Sequence, residues 1–153
     1  MPRLAIKLPA DFPQVNFTAS NRFYWSPKQQ TVFFDHSKQD EAAEWALLHE
    51  LSHGLLAHAN YKTDFELLQL EVSAWHKAKQ VAVNYKIIIN EDHIQDCLDT
   101  YRDWLHARST CPSCTEHGVQ QTNAVYICLN CSNEWRVSNA RFCRPYRKLA
   151  VKK

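Results

Sequence analysis

The chain has 153 residues, of which 45% are hydrophobic, and its formal net charge is +2. This length fits one main domain of about 100 residues with a smaller appendage. No apolar run approaches the roughly 18 residues of a membrane span, and the N-terminal residues show no signal-peptide pattern. We therefore expect a cytoplasmic protein that is not embedded in a membrane.

The first part of the chain predicts an extended lead-in followed by a β-hairpin. Residues 1–20 contain three prolines among scattered apolar side chains and show no helical period. The segments 22–25 and 31–35 are rich in strand-forming residues and flank the turn-like segment 26–30. An exposed edge strand of this hairpin could hold an extended peptide through main-chain hydrogen bonds, or it could only cover the core.

A long helix, predicted from the N-cap Ser37 to about Ala59, contains the motif H-E-x-x-H. Four residues along a helix is a rotation of about 400°, so His49 and His53 lie on nearly one face and can bind one ion. Glu50 is rotated by about 100° from His49, and could act as general base on a water at the open position of a zinc ion. This motif predicts a zinc hydrolase acting on an amide or ester.

A catalytic zinc needs a third protein ligand, for which the candidates are His58, Glu71 and His76. A capping-box sequence begins a second helix, predicted over 63–82, which would form a hairpin with the first. His53 then lies about 9 Å before the end of the first helix and Glu71 about 12 Å into the second, at similar depth. His58 and His76 are each rotated by about 140° from the ligand that precedes them, so Glu71 is the preferred third ligand.

Three further expectations concern this region. Gly54 costs about 1 kcal/mol in a helix relative to alanine, which predicts a close approach there, for example of the second helix. Trp75 is expected to pack in the core. A hydrolase of this kind needs an oxyanion donor besides the zinc, and Tyr61, Tyr85 and His76 are all candidates.

A third helix is predicted to begin at the N-cap Asn90 and to close the core with an apolar stripe at helical spacing. The stripe consists of Ile94, Cys97, Leu98, Tyr101, Trp104 and Leu105.

After this helix the sequence contains two C-x-x-C pairs. Cys111 and Cys114 are separated by thirteen residues from Cys128 and Cys131, a spacing typical of a zinc ribbon. Four thiolates fill a tetrahedral zinc site and leave no open position, so this zinc should be structural. A pair of disulfides is the alternative, which a cytoplasmic location disfavours.

The charge distribution changes near the same place. Residues 1–106 carry 10 Lys/Arg against 14 Asp/Glu, a net −4, whereas residues 107–153 carry 8 against 2, a net +6. We therefore predict a domain boundary near Ala107. Basic residues of the second part could contact a nucleic-acid backbone, or could form only a solvated face. The candidates are Arg136, Arg141, Arg144, Arg147 and Lys148.

The stretch H-E-L-S-H-G-L-L at 49–56, with L-E-V-S-A-W at 70–75, resembles the ImmA/IrrE-type metallopeptidases. Their second active-site helix carries an E-x-x-A-like segment, and the likeness covers roughly residues 30–106. The resemblance implies His49, His53 and Glu71 as zinc ligands and Glu50 as catalytic base. Regulatory members of the family act on DNA-bound repressors, so a DNA-associated regulator is an expected substrate.

This sequence departs from a minimal ImmA/IrrE-type member in its short loop between the two helices and in its cysteine-rich end. An N-terminal zincin followed by a ribbon is also similar to the SprT-like metallopeptidases. Their third ligand is a histidine, for which this sequence offers no well-placed residue, so this is the second choice.

Together these features predict an α+β fold with two domains. Residues 1–106 would form a small zincin-like metallopeptidase core, with a short β-hairpin and about three helices, and residues 107–153 a zinc ribbon with a basic tail. The predicted function is a zinc-dependent endopeptidase with one catalytic and one structural zinc, acting on an intracellular protein. The alternatives are a non-catalytic nucleic-acid-binding adaptor and, more weakly, a zinc amidohydrolase acting on a small substrate.

Overall fold

The computed structural model describes residues 1–141 and 145–150. Within these ranges the fold is α+β, with four helices and two β-sheets. The chain divides into two compact units, Met1–Asn60 with Leu70–Ile94, and Tyr61–Gln69 with Gln95–Lys153. No helix in the described part of the chain has the length and apolar character that crossing a membrane requires.

A three-stranded sheet in the order β1-β3-β2 forms the centre of the first unit. The central strand β3 (Thr31–Asp35) pairs antiparallel with β2 (Tyr24–Ser26), which confirms the predicted hairpin. It also pairs in parallel with β1 (Asn16–Ser20), a strand that the sequence did not predict. The missing signal has a physical reason, since β1 is a largely exposed edge strand without apolar alternation.

The first helix, α1 (Leu4–Asp11), lies where an extended lead-in was predicted, so that prediction is wrong. The carboxylate of Glu44 accepts hydrogen bonds from the backbone N–H groups of Arg3 and Leu4. These are donors that a helix start leaves unpaired, and their partner is some forty residues away in sequence. The helix also contains Pro9. A short segment with an internal proline and a distant cap gives no helical signal of its own.

The motif helix, α2 (Glu41–Leu55), is shorter than predicted at both ends. Its N-cap is Asp40, whose carboxylate accepts a backbone N–H of the first turn. The predicted N-cap Ser37 instead donates its hydroxyl and backbone N–H to Asp35, so that assignment is wrong. Beyond Leu55 the chain leaves the helix, and Ala57 has a φ of 53° in the left-handed region.

The second and third predicted helices are confirmed as α3 (Asp64–Val83) and α4 (Glu91–Ser109). At the start of α3, the Thr63 hydroxyl accepts the N–H of Glu66, and the Glu66 carboxylate accepts the N–H of Thr63, as in a capping box. At the start of α4, the Asn90 side chain accepts two backbone N–H groups of the first turn. Both starts were predictable because their caps are local in sequence.

The second unit contains an antiparallel sheet in the order β4-β5-β6-β7. Its strands are β4 (Gly118–Thr122), β5 (Val125–Cys128), β6 (Glu134–Val137) and β7 (Arg147–Leu149). The strands β5 and β6 lie on either side of the turn that carries the second C-x-x-C pair. Their side chains Tyr126 and Trp135 are buried and stack with ring centroids 5.7 Å apart, which forms the core of this sheet.

A buried ion pair holds the helical segments of the second unit to its sheet. Arg108 is 1% exposed and donates from Nε to Asp64 at 2.7 Å, while the Tyr126 hydroxyl donates to the same carboxylate at 2.6 Å. Arg108 also donates to two main-chain carbonyls. The boundary predicted near Ala107 falls within α4. The contacts of Arg108 and Tyr126 with Asp64 join residues that precede this boundary to residues that follow it. The division into domains 1–106 and 107–153 therefore stays a prediction.

Candidate metal centres

The two histidines of the motif and Glu71 come together in the first unit. His49 Nε2 lies 3.1 Å from Glu71 Oε2 and 3.1 Å from His53 Nε2, and His53 Nε2 lies 3.5 Å from Glu71 Oε1. One ligand atom from each of the three residues lies within 4.8 Å of the others, and all three side chains are buried. Two imidazole nitrogens and one carboxylate oxygen are a donor set that zinc accepts.

The charges in this cluster favour an ionised carboxylate. Burial raises the pKa of Glu71, but hydrogen bonds with His49 and His53 outweigh it and hold that pKa well below its ordinary value. Burial lowers the pKa of His53, but its interactions with Glu71 outweigh this, so the net shift is upward. Glu71 is therefore negatively charged near neutral pH, which is the form that binds a metal.

Glu50 lies in the C-terminal half of α2, as His49 and His53 do. Its Oε2 accepts the backbone N–H of Trp25 at 2.8 Å. Burial raises the pKa of Glu50, and the neighbouring His49 and His53 offset this only in part. A carboxylate with a raised pKa takes up a proton more readily near neutral pH than an ordinary one.

Gly54 meets Trp25 of β2. A Cβ built on Gly54 would lie 2.9 Å from the indole ring, closer than real Cβ contacts allow. The predicted close approach at Gly54 is thus present. The prediction that the second helix makes it is wrong at this contact, where the neighbour is Trp25 of β2. Trp25 also donates its indole N–H to the carbonyl of His58 at 2.8 Å. Trp25 therefore contacts three residues that are spaced four apart, namely Glu50, Gly54 and His58.

His58 lies beside the cluster but outside the group of three possible ligands. Its Nδ1 is 2.9 Å from Nδ1 of His53, and its Nε2 is 3.3 Å from Oγ of Ser73. Burial and the neighbouring His53 lower the pKa of His58. This neighbour was missed because we expected α2 to continue to about Ala59. The left-handed Ala57 turns the chain instead and brings His58 back toward His53.

Trp75 is 4% exposed, which confirms its predicted place in the core, and it also stacks on His49. The ring centroids are 4.2 Å apart with an interplanar angle of 26°. Nδ1 of His49 is buried and has no hydrogen-bond partner among residues 1–141 and 145–150. The two candidate ligand histidines therefore differ at Nδ1, which has a hydrogen-bond partner in His53 but not in His49, whose ring instead stacks on Trp75.

The three candidates for an oxyanion donor lie in different surroundings. His76, also considered as a third ligand, is exposed and hydrogen-bonds Gln80. Tyr85 donates its hydroxyl to Asp11. Tyr61 is 48% exposed and belongs to the other unit.

The four ribbon cysteines form a second possible metal site. Sγ of Cys111 lies 3.7 Å from Sγ of Cys131, and Sγ of Cys114 lies 3.5 Å from Sγ of Cys128, and all four thiols are free rather than joined in disulfides. Hydrogen bonds from the Asn130 side chain and from a backbone N–H lower the pKa of Cys114 to about 6. This favours the thiolate, which is the metal-binding form.

Each C-x-x-C pair is followed by the same backbone turn. The N–H of Thr115 donates to the carbonyl of Cys111, and the N–H of Ser132 donates to the carbonyl of Cys128, both at 3.0 Å. Thr115 and Ser132 have left-handed φ values of 66° and 59°. Two matching turns that present four sulfurs to one point are compatible with a zinc ribbon.

The basic residues considered for nucleic-acid binding differ in their exposure to solvent and in the contacts of their side chains. Arg136 and Lys148 are cross-strand neighbours on β6 and β7, and both are exposed. Arg141 instead lies over an aromatic ring at 3.8 Å, and Arg147 donates to a main-chain carbonyl at 2.6 Å. Arg144 lies outside the described residues.

No protein-family model, curated protein or solved structure matches this chain. The likeness to the ImmA/IrrE-type and SprT-like metallopeptidases therefore rests on the motifs quoted above. The two groups of possible metal ligands are observations of the structure itself.

Proposed function

We propose that this chain is a zinc-dependent endopeptidase with His49, His53 and Glu71 as ligands and Glu50 as catalytic base. The observation that carries the proposal is the meeting of these three buried ligand atoms within 4.8 Å, with a second carboxylate on the residue after His49. Three protein ligands of this type are the set used by catalytic zinc sites, which keep a fourth position for water or substrate. The four-cysteine site would hold a structural zinc.

Zinc bound there would lower the pKa of a water to about 7 and would polarise a substrate carbonyl. Glu50 would take the proton of the attacking water and pass it to the leaving amine. The backbone N–H of Trp25 orients its carboxylate.

An extended peptide is the substrate class that the neighbourhood of Glu50 favours. Trp25 lies on β2, an edge strand of its sheet, and an edge strand can bind an extended chain by main-chain hydrogen bonds. The contact between Glu50 and Trp25 lies at this edge and uses the Trp25 N–H, so a substrate chain would pair with the other backbone groups of the edge. By resemblance to the ImmA/IrrE-type enzymes, whose regulatory members act on DNA-bound repressors, the substrate would be an intracellular protein such as a DNA-associated regulator.

The test is Glu50→Gln, which keeps the shape of the side chain and removes its basicity. Cleavage of a fluorescently labelled unfolded protein should fall by about 10²-fold or more, while the zinc content stays at two per chain. Glu41→Gln, on the exposed first turn of α2, makes the same charge change and should cleave like the wild type. Wild-type activity in Glu50→Gln would rule out the proposed mechanism.

A nucleic-acid-binding adaptor is the second candidate, favoured by the exposed pair Arg136 and Lys148. Contacts with phosphates release counterions, so binding to single-stranded or duplex DNA would weaken steeply with salt. Replacing both residues by alanine should reduce the salt slope by roughly 2, whereas replacing Lys28 and Lys38, exposed residues of the other unit, should not change it. One zinc per chain with such binding and no cleavage would favour the adaptor over the peptidase.

A further inference from the structure

A chain of hydrogen bonds leads from His53 to the main chain of α3. Nδ1 of His53 lies 2.9 Å from Nδ1 of His58, and Nε2 of His58 lies 3.3 Å from the hydroxyl of Ser73. That hydroxyl donates to the carbonyl of Leu70 at 2.9 Å. Leu70 directly precedes Glu71, so the chain ends next to the third proposed ligand.

Only one arrangement of protons satisfies this chain when His53 binds a metal. Nε2 of His53 faces His49 and Glu71, so it must carry the free lone pair, and the proton of a neutral ring must then be on Nδ1. Nδ1 of His58 therefore accepts, and the His58 proton lies on Nε2, from which it is donated to Ser73. Each donor in the chain then has one acceptor.

We propose that His58 is a positioning residue of the zinc site, which fixes the tautomer and ring orientation of His53 by accepting its Nδ1–H. The inference rests on the proposed function because it assumes a metal at His49, His53 and Glu71. Partners of this kind behind a ligand histidine typically contribute 10- to 100-fold to metal affinity. The sequence did not indicate this role. There His58 was considered only as a third ligand and was set aside because of its rotation from His53.

His58 is itself held from two sides, which suits a residue that must orient another. Its carbonyl accepts the indole N–H of Trp25 at 2.8 Å, and its side chain is fixed by Ser73. By contrast, Nδ1 of His49 has no partner within the described ranges. Among the two ligand histidines, His53 is thus the one with an orienting acceptor.

The experiment is zinc titration of the full chain against a competing chelator, with zinc content followed through both binding steps. His58→Leu keeps the side-chain bulk but offers no acceptor, and should weaken binding at the His/His/Glu site by 10- to 100-fold. His58→Asn can accept from His53 and donate to Ser73, so it should recover most of this loss. Ser73→Ala should give a smaller loss, below about tenfold. The four-cysteine step is an internal control and should not move.

A second readout is the histidine ¹⁵N chemical shifts of the zinc-loaded protein. They should show the proton of His53 on Nδ1 and that of His58 on Nε2. Equal losses in His58→Leu and His58→Asn, or an unchanged affinity in His58→Leu, would overturn the positioning role and leave the peptidase proposal standing. A wild-type chain that loads only one zinc, at the cysteines, would overturn both.

Discussion

Trp25 connects β2 to the end of the motif helix through three contacts. Its backbone N–H binds Glu50, its ring lies against Gly54, and its indole N–H binds the carbonyl of His58. The proposed base and the residue behind His53 therefore both depend on the placement of one residue, through its backbone N–H and its indole ring respectively.

Gly54→Ala tests how tightly this side chain is held. Helix propensity alone would make alanine more stable by about 1 kcal/mol, but the new Cβ would meet the ring at 2.9 Å. Because the indole N–H is also anchored to His58, we expect the clash to dominate, with a net loss of about 1–2 kcal/mol in urea unfolding.

The matched control is the same change in a Trp25→Leu background, where the ring is absent. There Gly54→Ala should be neutral or stabilising, and the difference between the two backgrounds measures the contact. A stabilising Gly54→Ala in the otherwise unchanged protein would show that the ring moves aside freely.

At the scale of single elements, the sequence predicted what local chemistry decides. The starts of α3 and α4 depend on caps within a few residues, Thr63 with Glu66 and Asn90, and both helices were placed well. The meeting of His49, His53 and Glu71 could be anticipated in part from helix periodicity, which puts the two histidines on one face of α2. The predicted depth of His53 does not hold, because it assumed a helix to about Ala59 and α2 ends at Leu55.

Elements that depend on distant partners could not be predicted in this way. The start of α1 is satisfied by Glu44 of another helix, and β1 gains its order from pairing in parallel with β3. The contact of His58 with His53 depends on where α2 ends. The helix is followed by the left-handed Ala57, and an alanine in the sequence does not indicate a helix end.

The buried pair of Arg108 and Asp64 should matter far more to α4 than its surface pairs. Arg108→Met would leave the Asp64 carboxylate buried without its cation, which costs about 3–5 kcal/mol. Arg102→Met removes a surface pair with Asp99, whose side chains are 41% and 58% exposed, and should cost less than about 1 kcal/mol. The loss of unfolding free energy can be measured for both variants by urea unfolding. Equal losses in Arg108→Met and Arg102→Met would contradict the greater weight of the buried pair.

At the scale of the whole molecule, the buried cluster of the second unit's sheet coincides largely with its candidate metal site. Its buried sheet cluster consists of Cys111, Tyr126, Cys128, Trp135 and Val137, with Cys114 and Cys131 packed against it. Four of these seven side chains are the proposed ligands, so the site and the core are largely the same atoms.

Removal of the ribbon zinc should therefore unfold this sheet. Cys131→Ser should lower zinc content by one per chain and abolish the hydrogen-exchange protection of β4, β5 and β6. Cys97→Ser, a change outside the group of four, should leave both unchanged. Full protection in Cys131→Ser would show that the sheet does not depend on metal.

Neither compact unit is one continuous stretch of chain, because residues 61–69 group with the later part and residues 70–94 with the earlier one. A fragment cut to begin at 107 would lack Asp64, the partner of the buried Arg108. During synthesis on the ribosome, Asp64 emerges 44 residues before that arginine. The Asp64 carboxylate must therefore stay hydrated until translation has passed Arg108.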